Sequence, residues 1–557
     1  MKFPRLVLAL LAAIFLAAWV IPSVTRTLVR PDEGRYAEIA REMAASGDFV
    51  TPRLNDLKYF EKPPLQYWAT ALAIKGFGLN DFTARAWPLV AGVFGLLLTW
   101  LAGRALASRD VAWVAASALG AMCYYFFIAH INTLDMGLTA FMTLTLVGML
   151  RGFGIEGQSS ATTRRWMLAA WAGAALAFLS KGLIGIVLPG AIFVLYLLIS
   201  RQWSLLRRLE WWRGPLVFSL IALPWPLLVQ SRNPEWANFF FIYEHFERFA
   251  SEEHDRPGAL LYFVPLVIIG LMPWTPALLK LLNRRSWLSA GSTYARATLN
   301  VPLFLALWCL FIFTFFSLSK SKLPSYLLPI PPAAALLLAP ILIESSPRAF
   351  RRLLLLFASV PALLLFAPLA RSSFVNDVYT RGMVEHFALY LIVAGGVFAG
   401  AIATAWRLEG CGRRLDALIA TAVLATLGGS IAASGYETLA ASTSSKQLVH
   451  DFRSVEPDYR DADPFFSVGL FEQTLQPYLG RSTTLVDFLD ELGLGAAAEP
   501  DKVRFNFADF ADEWNALDRA YAITDFDQLP RFDLAGLDYR VVAVDLRRVI
   551  IARHGPR

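Results

Sequence analysis

Long apolar runs constrain this chain more strongly than any other feature of its sequence. Hydrophobic residues make up 56% of the 557 residues, whereas soluble domains are about 45–50% apolar. The excess lies in runs that could span a bilayer, so we predict a polytopic α-helical membrane protein with about thirteen transmembrane helices of about 20 residues each. Their approximate positions are 6–23, 86–103, 111–128, 135–151, 166–180, 182–200, 214–231, 259–281, 300–317, 325–343, 351–370, 387–406 and 415–433.

Basic residues are distributed unevenly over the loops that join these runs. Cytoplasmic loops carry an excess of lysine and arginine, which predicts that the richer set of loops and the N-terminus are cytoplasmic. Because the net charge of +7 sits mostly in these short loops, we expect no nucleic acid partner. The richer set of loops holds Arg104, Arg109, Arg151, Arg164, Arg165, Arg201, Arg207, Arg208, Arg213, Arg284, Arg285, Arg296, Arg348, Arg351, Arg352, Arg407, Arg413 and Arg414.

The C-terminal segment, residues 437–557, has a different character. It carries many charges and short β-rich runs, YRVVAVDL and AYAITDF, with stretches of helical character such as STTLVDFLDEL between them. Short strands that alternate with helices predict a small α/β domain, and an odd number of spans places it on the outer face. We therefore divide the chain into a membrane domain at 1–436, whose first outer loop is 24–85, and an outer domain at 437–557.

The first outer loop begins with two carboxylates directly after an apolar run, in the stretch LVRPDEGRYAEIAREMAASGDF. Pro31 and Asp32 are helix start signals and Gly47 is a stop signal, and the apolar stripe between them suits a helix on the membrane surface. In LKYFEKPPLQYW the paired prolines exclude a regular helix at Glu61, and a second surface helix is predicted near 65–76. Asp32 could either cap the first helix or belong to a reaction centre.

Four further outer loops carry charged or aromatic side chains that membrane topology alone does not favour. Asp135 could also cap a helix, and Lys320 and Lys322 could bind lipid headgroups. Together the loops suit a phosphorylated, lipid-borne substrate, because lysine and arginine bind phosphate and carboxylates orient or deprotonate a nucleophile. The loops are AHINTLDMG with Asp135, FLSKGLIG with Lys181, YEHFERFASEEHDRPG with Arg248 and His254, and SLSKSKLPSYLLP with Lys320, Lys322 and Tyr326.

These motifs resemble the membrane glycosyltransferases of the GT-C class, and in particular the lipid A 4-amino-4-deoxy-L-arabinose transferases, which are relatives of the protein O-mannosyltransferases. The resemblance covers roughly residues 1–345 and rests on RPDEGRYAEIAREMAASGDF, LKYFEKPPLQYW, LSKGLIG, HFERFASEEHDRPG and SLSKSKLPSYLLP. It implies a GT-C fold with periplasmic surface helices. It also implies a pentosyltransferase that moves aminoarabinose from undecaprenyl phosphate to lipid A phosphates at the periplasmic face of the inner membrane, a modification that confers polymyxin resistance.

The same resemblance implies roles for individual residues. Asp32 and Asp135 would be catalytic, and a divalent metal such as Zn²⁺ would be held partly by Glu61 and His254. The undecaprenyl-phosphate-linked donor, the lipid A acceptor and membrane lipids would be the partners of a monomeric protein. Contacts with the donor phosphate or substrate are implied for Arg35, Tyr36, Lys58, Tyr59, Lys62, Lys181, Arg248, Lys320, Lys322 and Tyr326.

Two other functions stay open at this point. The first is a GT-C transferase that uses a polyprenyl-phosphate sugar to modify a hydroxyl of a protein or glycan. The second is a transporter of a lipid-linked sugar, which would place ionisable groups near the bilayer midplane. The candidate residues instead cluster at one predicted surface, and this favours a transferase.

Overall fold

The computed structural model describes residues 3–247, 259–283, 287, 291–366 and 378–554, with the side chains of 243–247, 378, 379 and 554 outside the description. The chain forms two compact units. The helical unit comprises Met1–Val24, Glu61–Gln66 and Trp87–Gly435, and the mixed unit comprises Thr25–Phe60, Tyr67–Ala86 and Tyr436–Arg557. The second unit thus groups most of the first outer loop with the C-terminal segment. The sequence analysis instead divided the chain at residue 436, and this domain boundary stays a prediction.

The described chain contains helices in both units and strands in the mixed unit. The α-helices are α1 (Arg5–Thr25), α2 (Asp32–Ser46), α3 (Leu65–Phe77), α4 (Asp81–Leu106), α5 (Arg109–Ala121), α6 (Cys123–Ala129), α7 (Asp135–Gly152), α8 (Ser160–Lys181), α9 (Ile184–Ser200), α10 (Arg213–Ala222), α11 (Pro224–Arg232), α12 (Phe263–Gly270), α13 (Thr275–Leu278), α14 (Val301–Leu318), α15 (Ile330–Glu344), α16 (Pro347–Phe357), α17 (Ser359–Phe366), α18 (Val378–Gly410), α19 (Arg414–Gly435), α20 (Ala440–Thr443), α21 (Lys446–Val455), α22 (Leu475–Leu479), α23 (Gly493–Ala498), α24 (Phe507–Ala516) and α25 (Leu529–Leu534). The strands are β1 (Arg53–Leu54), β2 (Leu57–Lys58), β3 (Phe465–Val468), β4 (Thr484–Val486), β5 (Val503–Arg504), β6 (Arg519–Asp525), β7 (Arg540–Val544) and β8 (Arg548–His554). Short 3-10 turns lie at Trp203–Arg208, Leu279–Leu282, Pro324–Leu327, Tyr436–Leu439, Asp490–Leu492, Pro500–Lys502 and Phe526–Gln528, and a π-helix lies at Asn238–Glu247.

Membrane-spanning helices dominate the helical unit, which confirms the predicted polytopic helical fold. Within the described residues, length and composition support seven spans, or nine when two bent helix pairs each count as one. The bent pairs are Arg109–Ala121 with Cys123–Ala129, at 63°, and Phe263–Gly270 with Thr275–Leu282, at 110°. The seven straight spans are Arg5–Thr25, Asp81–Leu106, Arg213–Arg232, Val301–Leu318, Pro347–Phe366, Thr380–Gly410 and Arg414–Thr443.

The predicted count of about thirteen spans is therefore higher than the seven to nine spans that helix length and composition support within the described residues. The four additional predicted spans correspond to α7, α8, α9 and α15. Helices α9 and α15 are apolar but shorter than a full span. Helices α7 and α8 each carry charged residues at their ends, among them Asp135 and Lys181. Each predicted span thus has a helical counterpart, but the apolar run alone did not reveal which helices are short or charged.

Helices α7 and α8 pack through small residues, which lets their backbones approach closely. A Cβ atom on Gly148 would lie 2.9 Å from the Cα of Ala170, and one on Gly173 would lie 2.8 Å from the backbone nitrogen of Thr145. Helix α7 is buried along most of its length. The contact brings the start of α7 beside the end of α8, where Lys181 bonds to Asp135.

A six-stranded sheet forms the core of the mixed unit, and its strand order is β5-β4-β3-β6-β8-β7. Strand β3 pairs in parallel with β4 and β6, whereas β8 pairs antiparallel with β6 and β7. The predicted α/β character of the C-terminal segment is confirmed, and the runs AYAITDF and YRVVAVDL correspond to β6 and β7.

The helical interpretation of STTLVDFLDEL is wrong. Thr484–Val486 form strand β4, and only Asp490–Leu492 form a short 3-10 turn. The buried side chains of Leu485 and Val486 favour a central parallel strand, since such strands have both faces covered. Positive φ angles of 53° at Asp487 and 32° at Asp490 then interrupt the regular backbone, so the stretch does not form one continuous helix.

Candidate active site

The two carboxylates at the start of α2 have different environments. Glu33 is buried, and its Oε1 and Oε2 accept hydrogen bonds from Arg85 Nε at 2.6 Å and Nη2 at 2.7 Å. The side chain of Asp32 is 47% exposed. Because the N-cap residue of α2 is Pro31, with no side-chain cap, the N-cap interpretation of Asp32 is wrong. Glu33 therefore anchors the helix, and Asp32 presents a carboxylate at the surface of the mixed unit.

Arg35 lies between Asp32 and a carboxylate from the C-terminal segment. Its Nη1 is 3.2 Å from Asp32 Oδ1, and its Nη2 is 2.5 Å from Glu491 Oε2. Burial lowers the pKa of Arg35, but electrostatic interactions with Tyr59, Glu491 and Asp32 outweigh burial and raise the pKa overall. The guanidinium is thus a fixed cation that orients the Asp32 carboxylate.

Aromatic side chains surround this pair. Tyr36 and Tyr59 are buried, and the Tyr36 ring lies 5.9 Å from the ring of Tyr67. The Arg35 guanidinium lies 5.9 Å from the centre of the Tyr36 ring. We call Asp32, Arg35, Tyr36, Tyr59 and Glu491 the Asp32 cluster. The buried rings pack around the ion pair, and the Asp32 carboxylate and the Arg35 guanidinium are the polar groups of the cluster that can orient a charged substrate.

Lys58 is not one of the residues of the Asp32 cluster. Lys58 ends strand β2, is partly buried, and donates its backbone N–H to Glu499 Oε2 at 3.1 Å. The neighbouring hairpin is held by Arg53, whose Nη1 lies 2.9 Å from Glu499 Oε2. The predicted role of Lys58 in binding phosphate stays a prediction.

Asp135 and Lys181 form an ion pair in the helical unit. Lys181 Nζ lies 2.5 Å from Asp135 Oδ1, and the two side chains are 17% and 10% exposed. The same ammonium lies 5.2 Å from the centre of the Tyr326 ring. We call Asp135, Lys181 and Tyr326 the Lys181 cluster. Removing one partner of a buried pair leaves a charge without compensation, so the two residues depend on each other.

The loop that follows α14 supplies Tyr326 to this cluster. The hydroxyl of Tyr124 donates to the carbonyl oxygen of Pro324 at 2.5 Å, and the Tyr326 ring lies 4.8 Å from Phe316. These contacts fix the position of the Tyr326 ring. Tyr326 is thereby held beside Lys181 by residues of α6 and α14, which is a placement that sequence spacing could not predict.

The two other lysines of this loop have different environments. Lys322 is buried, and its Nζ donates to the carbonyl oxygens of Ser317 at 2.8 Å and Ser319 at 2.7 Å. It therefore satisfies carbonyl groups at the end of α14, where cations are favourable. Lys320 is exposed. The predicted phosphate contacts of both lysines stay predictions, and Lys322 has a structural role as well.

The EKPP segment lies in the helical unit with the residues that precede Asp135. Lys62 Nζ donates to the Glu61 carbonyl oxygen at 2.9 Å and lies 3.9 Å from Glu61 Oε2. The amide of Gln66 donates to Asn132 Oδ1 at 2.6 Å, and both residues are buried. This bond connects the start of α3 with the turn that begins α7. Gln66 and Asn132 were missed by the sequence analysis because a paired amide has no distinctive sequence pattern.

The predicted metal site is only partly covered by the structure. Arg248 and His254 lie outside the described residues, so neither is placed. Among the residues that are described, no group of three or more histidine, cysteine, aspartate or glutamate side chains could hold a metal ion. The carboxylate of Glu61 has the Lys62 ammonium as a neighbour. A divalent ion at Glu61 stays a prediction.

Two family models match this chain. A model described as dolichyl-phosphate-mannose-protein mannosyltransferase matches residues 5–240. A model described as aminoarabinose transferase C-terminal domain matches residues 452–553. The two matches fall on the two parts of the chain that the sequence analysis separated.

Relatives of this chain share one described activity. The undecaprenyl phosphate-alpha-4-amino-4-deoxy-L-arabinose arabinosyl transferase of Shewanella sediminis is 34% identical over 333 residues, which make up 58% of each chain. The transferase of the same description from Pseudomonas aeruginosa is 34% identical over 409 residues, 72% of this chain and 71% of the relative. The match thus spans 58% of the length of the first of these relatives and more of the second.

A solved structure matches the chain almost from end to end. The crystal structure of ArnT from Cupriavidus metallidurans bound to undecaprenyl phosphate has a TM-score of 0.90 and 36% sequence identity, and the match covers 99% of both chains. It confirms the GT-C fold that the sequence motifs implied.

The Asp135–Lys181 pair gives a testable stability prediction. We expect Lys181→Met or Asp135→Asn alone to lower the free energy of unfolding by about 3–5 kcal/mol, since each leaves one buried group without its partner. The double variant should lose less than the sum of the two. Denaturant unfolding of the purified protein in detergent measures all four forms of the cycle. Losses that add within about 0.5 kcal/mol would show that the two side chains do not interact.

Proposed function

This chain belongs to the family of undecaprenyl phosphate-alpha-4-amino-4-deoxy-L-arabinose arabinosyl transferases, and we propose that it transfers 4-amino-4-deoxy-L-arabinose from undecaprenyl phosphate to phosphate groups of lipid A. The protein is a multi-pass membrane protein. The proposal includes the inner membrane as its location, with a cytoplasmic N-terminus and a periplasmic C-terminal segment. The observation that carries the proposal is the match over nearly the full length to a structure that holds undecaprenyl phosphate.

The donor is a sugar joined to a polyprenyl phosphate, and the bond that breaks joins its anomeric carbon to the phosphate oxygen. The leaving group is therefore an anion, and cations stabilise it as its charge develops. We assign this role to Lys181, which the ion pair with Asp135 holds in position, together with Lys62. Asp135 then acts by positioning the lysine, and Tyr326 supplies a ring against which the ammonium is fixed.

The acceptor determines what Asp32 must do. A phosphate monoester has a second pKa near ~6 and is already an oxyanion at neutral pH, so it needs no base to become a nucleophile. Asp32 is therefore assigned to the positive groups of the substrate, either the sugar ammonium or the charge that develops on the sugar ring. Attack by the lipid A phosphate oxygen on the anomeric carbon in one displacement gives inversion of configuration.

A second candidate function is supported by the match of residues 5–240 to the protein mannosyltransferase model. An enzyme of this kind transfers the sugar to a hydroxyl group, which needs a base to become a good nucleophile. The half-exposed carboxylate of Asp32 would then accept a proton. The two functions differ in their acceptor, which is a phosphate of lipid A in the first and a hydroxyl group in the second.

Mass spectrometry of lipid A distinguishes the two candidates. We expect cells that produce the protein to contain lipid A with the added mass of an aminopentose, and matched cells that lack it to contain none. The purified protein should modify lipid A and leave a hydroxyl-bearing peptide unmodified when both are offered with the same donor. Transfer to the peptide alone would replace the proposal with the second candidate.

Glu491 gives a prediction about the contribution of the C-terminal segment. We expect Glu491→Gln to lower the rate of transfer about tenfold or more, because Arg35 would then bind Asp32 alone and shift that carboxylate from its working position. The matched control is Glu499→Gln, which removes an ion pair with Arg53 in the same segment. Transfer rates measured with saturating donor test the difference. Equal losses in both variants would mean that Glu491 acts only through the stability of the segment.

A further inference from the structure

Two loops of the helical unit contain an unusual concentration of arginine. Residues 151–166 and 201–213 together hold seven arginines and two glutamates. They belong to the loops that the sequence analysis placed on the cytoplasmic side, and the proposed transfer reaction does not use them. We call these two segments the basic platform.

The two segments of the basic platform are joined by specific contacts. The guanidinium of Arg208 donates to the carbonyl oxygen of Phe153. The indole Nε1 of Trp171, in α8, donates to the carbonyl oxygen of Leu209 at 2.7 Å. Leu205 and Leu209 are buried in the core of the unit. These contacts fix the backbones of the two segments against each other.

Most of the positive charge on the platform is not balanced by the protein. Within the described part of the chain, Glu210 pairs with Arg213 at 3.0 Å, whereas Arg201 and Arg207 are exposed and form no ion pair there. Like charges that are fixed close together repel, and a bound anion relieves that repulsion. The platform therefore has the electrostatic character of an anion-binding surface.

Arg151 provides a more specific feature. Its guanidinium carbon lies 4.0 Å from the centre of the Trp166 ring. Its Nε is buried and has no hydrogen-bond partner among the described residues. A buried donor without a partner is unfavourable, and a phosphate oxygen that reached the guanidinium would satisfy it. The ring holds the planar guanidinium in a single orientation, which suits bidentate binding of phosphate.

Three tryptophans of the platform indicate that its anion is part of a membrane. Trp203, Trp211 and Trp212 are 51%, 59% and 88% exposed. Large exposed indole rings are unfavourable in water, but tryptophan is enriched at the level of lipid headgroups. Basic pockets between transmembrane helices on the cytoplasmic side bind anionic headgroups. Exposed indole rings beside unpaired guanidinium groups therefore match the boundary between lipid and water.

We propose that the basic platform binds the headgroup phosphate of an anionic glycerophospholipid, with Arg151 stacked on Trp166 as the phosphate ligand. The exposed tryptophans contact the glycerol and upper acyl region of the same lipid layer. An excess of arginine that only sets membrane topology acts through charge alone, and lysine in the same positions would serve equally well. The proposed site requires the arginine fork and the ring beneath it.

Lipid titration followed by native mass spectrometry tests this site on the full-length protein in detergent. The probes are short-chain phosphatidylglycerol, phosphatidylcholine and inorganic phosphate. We expect preferential binding of phosphatidylglycerol, weakened about tenfold in Arg151→Lys, which keeps the charge but loses the bidentate hydrogen bonds. Trp166→Leu should weaken binding similarly. The matched control is Arg104→Lys, which changes an exposed arginine in the last turn of α4 and should leave binding unchanged.

The possible outcomes separate the site from its alternatives. Unchanged affinity in both Arg151→Lys and Trp166→Leu would overturn the proposal, as would equal binding of phosphatidylglycerol and phosphatidylcholine. Displacement of the lipid by an equal concentration of inorganic phosphate would identify a free anion as the ligand and would also overturn it. The mass spectrum reports the intact folded protein in the same experiment, so a variant that fails to fold is recognised directly. If one of the two variants fails to fold, the lipid affinity of the other tests the proposal.

Discussion

A buried ion pair between Glu33 and Arg85 is the contact on which the arrangement of the first outer loop depends. Both side chains are almost inaccessible to solvent, and two hydrogen bonds join them. Arg85 also donates to the carbonyl oxygens of Arg26 and Thr27, so a single guanidinium holds the residues that precede α2 and the start of α2 itself. A charge removed from water requires such complete pairing. The neighbouring Asp32 lies at the surface of the mixed unit, where its side chain is 47% exposed and pairs with Arg35.

The C-terminal segment contributes directly to the positioning of this helix. Gly34 packs so closely that a Cβ atom there would lie 2.4 Å from the carbonyl oxygen of Gln473. One residue further on, Arg35 bonds to Glu491. The α/β part of the mixed unit therefore supports the first outer loop as well as folding around its own sheet. This gives a physical reason for the C-terminal α/β segment under the proposed function, because the segment fixes the residues beside Asp32.

Sequence patterns predicted those features that depend on neighbouring residues in the chain. Apolar runs became helices, α2 ends at Gly47 as its stop signal predicted, and the β-rich runs of the tail became β6 and β7. The errors concern interactions between distant residues. STTLVDFLDEL forms a strand because it pairs between β3 and β5. The different roles of Asp32 and Glu33 are set by Arg85 and Glu491, which no local pattern reveals.

We assign contact with the substrate to Asp32 in the proposed reaction, whereas Glu33 holds the helix. The most direct measurement compares Asp32→Asn with Glu33→Gln in the purified protein, using the single-turnover rate of sugar transfer to lipid A and the thermal unfolding temperature. We expect Asp32→Asn to lower the rate at least about 100-fold without a change in the unfolding temperature. Glu33→Gln should lower the unfolding temperature, because Arg85 is then left as an uncompensated buried charge. A near-normal rate in Asp32→Asn, or an unchanged unfolding temperature in Glu33→Gln, would contradict this assignment.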